Sequence, residues 1–177
     1  MTCFPFMRQI AGERCLLIGG GEVALRKART LLPFGVKIVV CAHRIAEELR
    51  GIAEDCHAEY DASLLEGAAF AVAATDDRAF NARVAADCRA RKIPVNCVDE
   101  KENCDFYFPA LIKAGDVSIG ISTGGAAPML AGALREYIEA RLPCDLDAIA
   151  RRAAALRGTL PPEQYAAEVR RMLEEGI

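Results

Sequence analysis

The sequence contains no tryptophan, and aromatic residues make up only 6% of it. Tryptophan emission therefore cannot report on ligand binding. No apolar run approaches the ~18 residues that a membrane-spanning helix requires, so no span is expected. Met1 to Arg14 carry a charge at Arg8 and no long apolar stretch. That segment does not read as a secretory signal, which predicts a cytoplasmic chain. Basic runs are also missing: Lys and Arg number 22 against 25 Asp and Glu, a net charge of −3. Such a balance makes non-specific nucleic-acid binding a poor expectation. Eight cysteines are present, yet no two stand as Cys-x-x-Cys. The zinc-ribbon and iron–sulfur spacings are thus excluded, and no metal site is expected. A disulfide framework is not expected in a core-rich chain of this size. Most of the thiols read as small buried hydrophobes. No internal repeat or low-complexity segment is visible.

What the chain has is apolar content: 53% of 177 residues. That suffices for one full core, or for one core plus a small appended unit, but not for two large domains. Arg14 to Gly19 reads as a buried strand entering a tight glycine turn, and Glu22 to Pro33 as a helix. Val36 to Val40 is a β-branched strand, and His43 to Asp55 a helix. Ala58 to Tyr60 is expected as a short strand, with Asp61 capping a turn through Leu65. Phe70 to Ala74 is a third clear strand, Asp77 to Arg91 a helix and Ile93 to Val98 a further strand. The strands are continuous apolar runs, not alternating ones. This points to a parallel sheet covered on both faces, an α/β fold. Beyond Val98 the pattern changes. Asp99 to Asp105 reads as a loop. Phe106 to Ile112 and Val117 to Thr123 are spaced as a hairpin. Helices are expected from Ala127 to Arg141, Leu146 to Arg157 and Pro162 to Glu175. Boundaries fall near residues 110 and 143.

Gly19-Gly20-Gly21-Glu22-Val23-Ala24 fits G-x-G-x-x-A directly after a strand and opens a helix. The first glycine permits the turn, and the second lets the backbone approach a pyrophosphate. The small Ala24 permits close packing, and the helix N-terminus offers amides to the anion. Its place in the first βα turn is the context that dinucleotide binding requires. The second strand ends in Cys41-Ala42-His43-Arg44, where NAD-binding folds often place an acid. Arg44 can reach a 2′-phosphate, stack near adenine or stay in solvent, so the residues alone leave NAD against NADP open. Thr75, at the end of the third clear strand, can donate to a cofactor. Asp76 or Asp77 reads as a helix cap, and Asn81 as a surface residue.

Asn96-Cys97-Val98-Asp99 closes the strand before the loop. A carboxylate there can act as a base or bind a cation. Further on, Ser122-Thr123-Gly124-Gly125-Ala126-Ala127-Pro128 pairs hydroxyls with glycines at a helix start, which suits a carboxylate or phosphate. Taken in order and spacing, several segments together resemble one family. They are Gly19 to Ala24 with Arg26-Lys27-Ala28, Ala74-Thr75-Asp76-Asp77, Asn96 to Asp99, Phe106 to Pro109, and Ser122 to Gly125 with Pro128. The family is precorrin-2 dehydrogenase / sirohydrochlorin ferrochelatase, the N-terminal module of siroheme synthase and its stand-alone relatives.

The resemblance covers about residues 1 to 145. It implies NAD-dependent oxidation of precorrin-2 to sirohydrochlorin, and in some members Fe2+ insertion to give siroheme. It places Gly19, Gly21, Glu22 and Val23 at the cofactor, with His43 and Arg44 on the adenosine side. The family's key aspartate falls on Asp99. Thr123 stands where some members carry serine, and Gly124 and Gly125 complete a substrate-binding turn. Members are homodimers. The implied layout is a Rossmann-like NAD-binding domain over 1–110, a small α+β dimerisation segment over 111–143 and a short helical tail over 144–177. Arg135, Arg141 and Lys113 are further candidates for the substrate's carboxylates. Two other readings compete. A non-catalytic, dimeric nucleotide-sensing module would use the glycine turn equally well. A redox or metal sensor would use Cys97 and Cys104, which flank Asp99.

Overall fold

A computed structural model describes residues 4–98 and 100–176 of the chain. It divides into two compact units, Met7–Tyr107 and Phe108–Ile177 together with Met1–Phe6.

In the first unit, β1 (Arg14–Ile18), β2 (Lys37–Cys41), β3 (Asp55–His57), β4 (Phe70–Ala73) and β5 (Val95–Cys97) form one sheet in the order β3-β2-β1-β4-β5. Every pairing is parallel. The central strand explains the pattern. Cys15, Leu16, Leu17 and Ile18 are all at most 1% exposed. Strand residues alternate between faces, so four successive buried positions require cover on both sides. Leu16 and Ile18 join one cluster with Val84, Ala85 and Cys88 of α3 (Arg78–Ala90). The other helices are α1 (Glu22–Leu31), which buries Ala24, Ala28 and Leu31 at helical spacing, and α2 (Glu47–Ile52), which buries Leu49. Each fully buried Leu or Ile contributes about 1.5–3 kcal/mol.

The chain winds outward from β1 through β2 to β3, then returns to the far side of β1 as β4. That reversal is a topological switch point, where the carboxyl ends of the strands open a crevice.

Several boundaries differ from the sequence reading. The third strand in chain order is Asp55–His57, not Ala58 to Tyr60. It pairs at the sheet edge through Val39↔Asp55, where backbone hydrogen bonding rather than apolar side chains defines it. The helix expected from His43 to Asp55 shrinks to α2, because residues 42–46 form a bend and loop that lines the crevice. The hairpin's first strand begins at Ala110, not Phe106. Residues 104–106 are instead fastened back to β5. Asp105 N donates to Val95 O (2.8 Å), Val95 N to the Asp105 carboxylate (3.0 Å) and Asn96 Nδ2 to Phe106 O (2.9 Å).

The second unit contains the antiparallel hairpin of β6 (Ala110–Ala114) and β7 (Val117–Ile121), with Ile112 opposite Ile119. Three helices follow: α4 (Pro128–Glu139), α5 (Leu146–Leu156) and α6 (Pro162–Glu175). Pro128 occupies the first turn of α4, where its missing N–H costs nothing. Leu146, Ile149 and Met172 are buried on α5 and α6. Among the described residues, no helix is long and apolar enough to cross a membrane.

Candidate functional site

The glycine turn after β1 is shaped by two close approaches. Gly19 has φ +127°, and a Cβ there would overlap the Ala74 carbonyl. A Cβ on Gly20 would overlap the Arg44 carbonyl oxygen and come within 3.0 Å of the Ala42 Cβ. Main-chain bonds fix the same geometry: Gly19 N donates to Cys41 O (3.0 Å) and Ala46 N to Gly20 O (2.9 Å). The turn is thus wedged between the ends of β2 and β4. Gly21 differs, since a Cβ there would meet nothing within 4 Å. It is also the N-cap of α1, and no side chain caps that end. The first amides of α1 therefore face open space, in the arrangement that binds a phosphate.

That space is part of a cavity of about 1150 Å³. Gly19, Gly21, Glu22, Val23, His43, Arg44 and Thr75 all line it. The strand ends have gathered every cofactor candidate around one crevice, though they lie up to 56 positions apart in sequence. Cradle, uncapped amides and cavity fit a dinucleotide.

The cavity also has members that the sequence did not single out. Tyr60 and Phe80 line it as an edge-to-face pair with ring centroids 5.6 Å apart. Tyr60 donates its hydroxyl to Asp87 (3.0 Å), and burial together with that bond pushes its pKa up. Asn81, expected at the surface, is 1% exposed. Thr75 Oγ1 donates to Asn81 Oδ1 (2.7 Å), and Asn81 Nδ2 donates to Thr75 O (2.9 Å). Thr75 therefore presents itself to the crevice with its hydroxyl proton held by Asn81. The one available signal was position, since Asn81 falls four residues after the α3 cap and on the face shared with Val84, Ala85 and Cys88. Of the paired aspartates, Asp77 is the cap, accepting from Phe80 N (3.0 Å). Asp77→Ala is expected to destabilise the chain by about 1 kcal/mol. The check is a lower urea midpoint with an unchanged slope.

Asp99 lies outside the described residues. The segment around it is pinched at its base. Cys104 Sγ accepts from Cys97 N (3.1 Å) and donates to Cys97 O (3.0 Å). Cys97 and Cys104 therefore do meet, but sulfur to backbone. The Cys97 thiol turns away to Asn81 O (3.7 Å). The seven described cysteines are free thiols, four of them buried. Burial pushes Cys88 up to about 12 and Cys97 up to about 11, so both stay protonated at neutral pH. Among the described residues no cluster of His, Cys, Asp or Glu is arranged to hold a metal ion.

Thr123, Gly124 and Gly125 belong to the second unit. Gly124 N donates to Ser122 Oγ (3.2 Å) and Ala127 N to Thr123 Oγ1 (3.2 Å). Both hydroxyls shape the turn as acceptors. Both glycines are left-handed, with φ +62° and +75°. Arg135 is paired with Glu136 and Glu139, and Arg141 stacks on Tyr137.

Comparison with known proteins agrees with this division. A family model described as NAD(P)-binding matches residues 6–110, and one described as sirohaem biosynthesis protein central matches residues 115–141. Both fall on the segments whose motifs carried the resemblance. The chain is 38% identical over 182 residues to a siroheme synthase of Chromobacterium violaceum, covering 100% of this chain and 39% of that protein. It is 44% identical over 157 residues to a siroheme synthase of Gluconacetobacter diazotrophicus, covering 84% of this chain and 33% of the relative. The chain thus spans between a third and two fifths of the curated relatives it matches. Among solved structures, SirC, precorrin-2 dehydrogenase, superposes with a TM-score of 0.73 at 22% identity, over 98% of this chain and 90% of that one. That likeness establishes the shared fold.

Proposed function

We propose, because this chain belongs to the NAD(P)-binding family and carries the sirohaem-biosynthesis central segment beside it, that it oxidises precorrin-2 to sirohydrochlorin with NAD+. The observation that carries the reading is the crevice at the switch point, walled by the glycine turn and lined by all seven cofactor candidates. Bound NAD+ supplies the hydride acceptor. The protein's part is to hold that acceptor and the macrocycle in reacting geometry and to take up a proton. The α1 amides and Gly21 hold the pyrophosphate. The turn at residues 74–77 faces the other half of the dinucleotide. Asp99 is the general base: the macrocycle loses a hydride to the cofactor and a proton to this carboxylate, which balances the two-electron oxidation. Thr123, Gly124 and Gly125 bind the substrate's carboxylates.

Fe2+ insertion into sirohydrochlorin is a second expected activity, with iron as substrate. It releases two pyrrole protons, and Asp99 can accept one of them. The location proposed is the cytoplasm.

The active form proposed is a homodimer. Helix α4 buries only Ala131 against its own chain, while Met129, Leu130, Leu134 and Tyr137 are exposed. Leu130, Leu134 and Tyr137 recur at i, i+4 and i+7, an apolar stripe suited to a second copy. Leu134→Glu combined with Tyr137→Glu is expected to convert a dimer to a monomer in light scattering. A wild-type monomer would remove the dimer from the reading.

The deciding experiment is anaerobic. Purified chain is mixed with enzymatically made precorrin-2 and NAD+, absorbance is followed for NADH and sirohydrochlorin, and Fe2+ is then added. Stoichiometric NADH and sirohydrochlorin are expected. Siroheme formation faster than without protein would add the chelatase. Failure to form reduced cofactor with either NAD+ or NADP+ would overturn the dehydrogenase reading in favour of the nucleotide sensor.

A further inference from the structure

Asn81 is a buried amide behind the crevice wall, with a partner on each of its side-chain polar atoms, and the proposed reaction gives it no part. Its side chain holds the β4–α3 turn from within. Oδ1 accepts the Thr75 hydroxyl at 2.7 Å and the Thr75 amide at 3.4 Å, while Nδ2 donates to the Thr75 carbonyl at 2.9 Å. Its main-chain carbonyl accepts the Cys97 thiol at 3.7 Å, at the end of β5. From Cys97 the contacts continue to Cys104, whose sulfur closes the segment leading to and from Asp99. One residue of α3 thus ties two adjacent strand ends on the same side of the glycine turn.

Satisfying a buried amide this completely costs ordering entropy. It also leaves the turn few alternatives, because a rotated Thr75 would take the hydroxyl donor away from the buried Asn81 Oδ1. The side of the crevice matters too. With His43 and Arg44 after β2 on the adenosine side and the pyrophosphate at Gly21, the β4 end faces the nicotinamide half. We propose that Asn81 is a positioning residue that locks the Thr75–Asp77 turn against the nicotinamide half of the bound dinucleotide. This rests on the dinucleotide-binding reading and goes beyond it by dividing the crevice into a half that Asn81 governs and a half that it does not.

The test compares two ligands on the full chain by calorimetry. NAD+ has both halves, and ADP-ribose lacks the nicotinamide. Asn81→Ala is expected to weaken NAD+ binding about tenfold while ADP-ribose binding stays within twofold of wild type. The steady-state reaction with precorrin-2 should show a higher KM for NAD+ and a lower kcat. Thr75→Val, which removes the donor at the other end of the lock and leaves Asn81 in place, should shift the two ligands in the same unequal way. Thr75→Ser restores the hydroxyl and should restore NAD+ binding. Equal losses for both ligands would make Asn81 a purely structural residue and overturn the proposal. Unchanged affinity for both in either disabling variant would overturn it as well. A wild-type chain that binds neither ligand overturns the dinucleotide reading and this proposal together. Wild-type binding without precorrin-2 turnover sinks only the assigned substrate, and the binding comparison still decides the role of Asn81.

Discussion

Asp99→Asn is expected to lower NADH formation from precorrin-2 by about 10²–10⁴-fold while leaving NAD+ affinity within twofold of wild type. A carboxamide has the carboxylate's shape but cannot take a proton at neutral pH. The proton lost with the hydride would then have no acceptor of the right strength. Nucleotide binding should be spared because the cofactor candidates are held by other residues, the glycine turn and the ends of β2 and β4. The fold should be spared because the segment is pinched by Cys104 on Cys97, Asp105 on Val95 and Asn96 on Phe106. Single-turnover absorbance under anaerobic conditions checks it. Wild-type rates in the variant would remove Asp99 from the chemistry and pass the proton to another group or to water.

The glycine turn should split stability from binding. In Gly20→Ala the new methyl meets main chain, the Arg44 carbonyl, so the turn and the β2–α2 connection must move apart. Overpacking of this kind costs about 1–3 kcal/mol. NAD+ affinity should fall by at least about tenfold, because the Ala46 N to Gly20 O bond that sets the crevice is lost with the displacement. Gly21→Ala meets nothing within 4 Å. Its melting temperature should stay close to wild type, since alanine narrows the unfolded ensemble but is a poorer N-cap than glycine. Its NAD+ affinity should nevertheless drop at least about tenfold, because the methyl projects where a pyrophosphate must approach the α1 amides. Paired thermal melts and NAD+ titrations read both quantities. If Gly21→Ala bound NAD+ normally, the pyrophosphate would have to lie elsewhere. If Gly20→Ala kept both wild-type stability and affinity, the wedging of the glycine turn against the segment after β2 would carry no weight.

Much of this protein is determined by its sequence alone. Leu16, Leu17 and Ile18 form a run that can be buried only between two layers, so it announces a central parallel strand. Gly19 to Ala24 can connect that strand to a helix in few ways, and those few bind phosphate. Asp61 and Asp77 cap as local chemistry dictates, accepting from Ser63 N and Phe80 N. These features depend on neighbours within a few positions, which is what a sequence displays. Other features were settled by residues distant along the chain. Strand β3 is polar and exists because β2 offers it an edge. Residues 104–106 leave the hairpin because Val95 and Asn96 hold them. Asn81 looks like a surface amide until β4 and β5 close over it and give each of its polar atoms a partner. Burial and hydrogen-bond partners are properties of the packed chain. A polar residue's role in the crevice was therefore decided by the tertiary structure, whereas the apolar runs that built the crevice were already written in order.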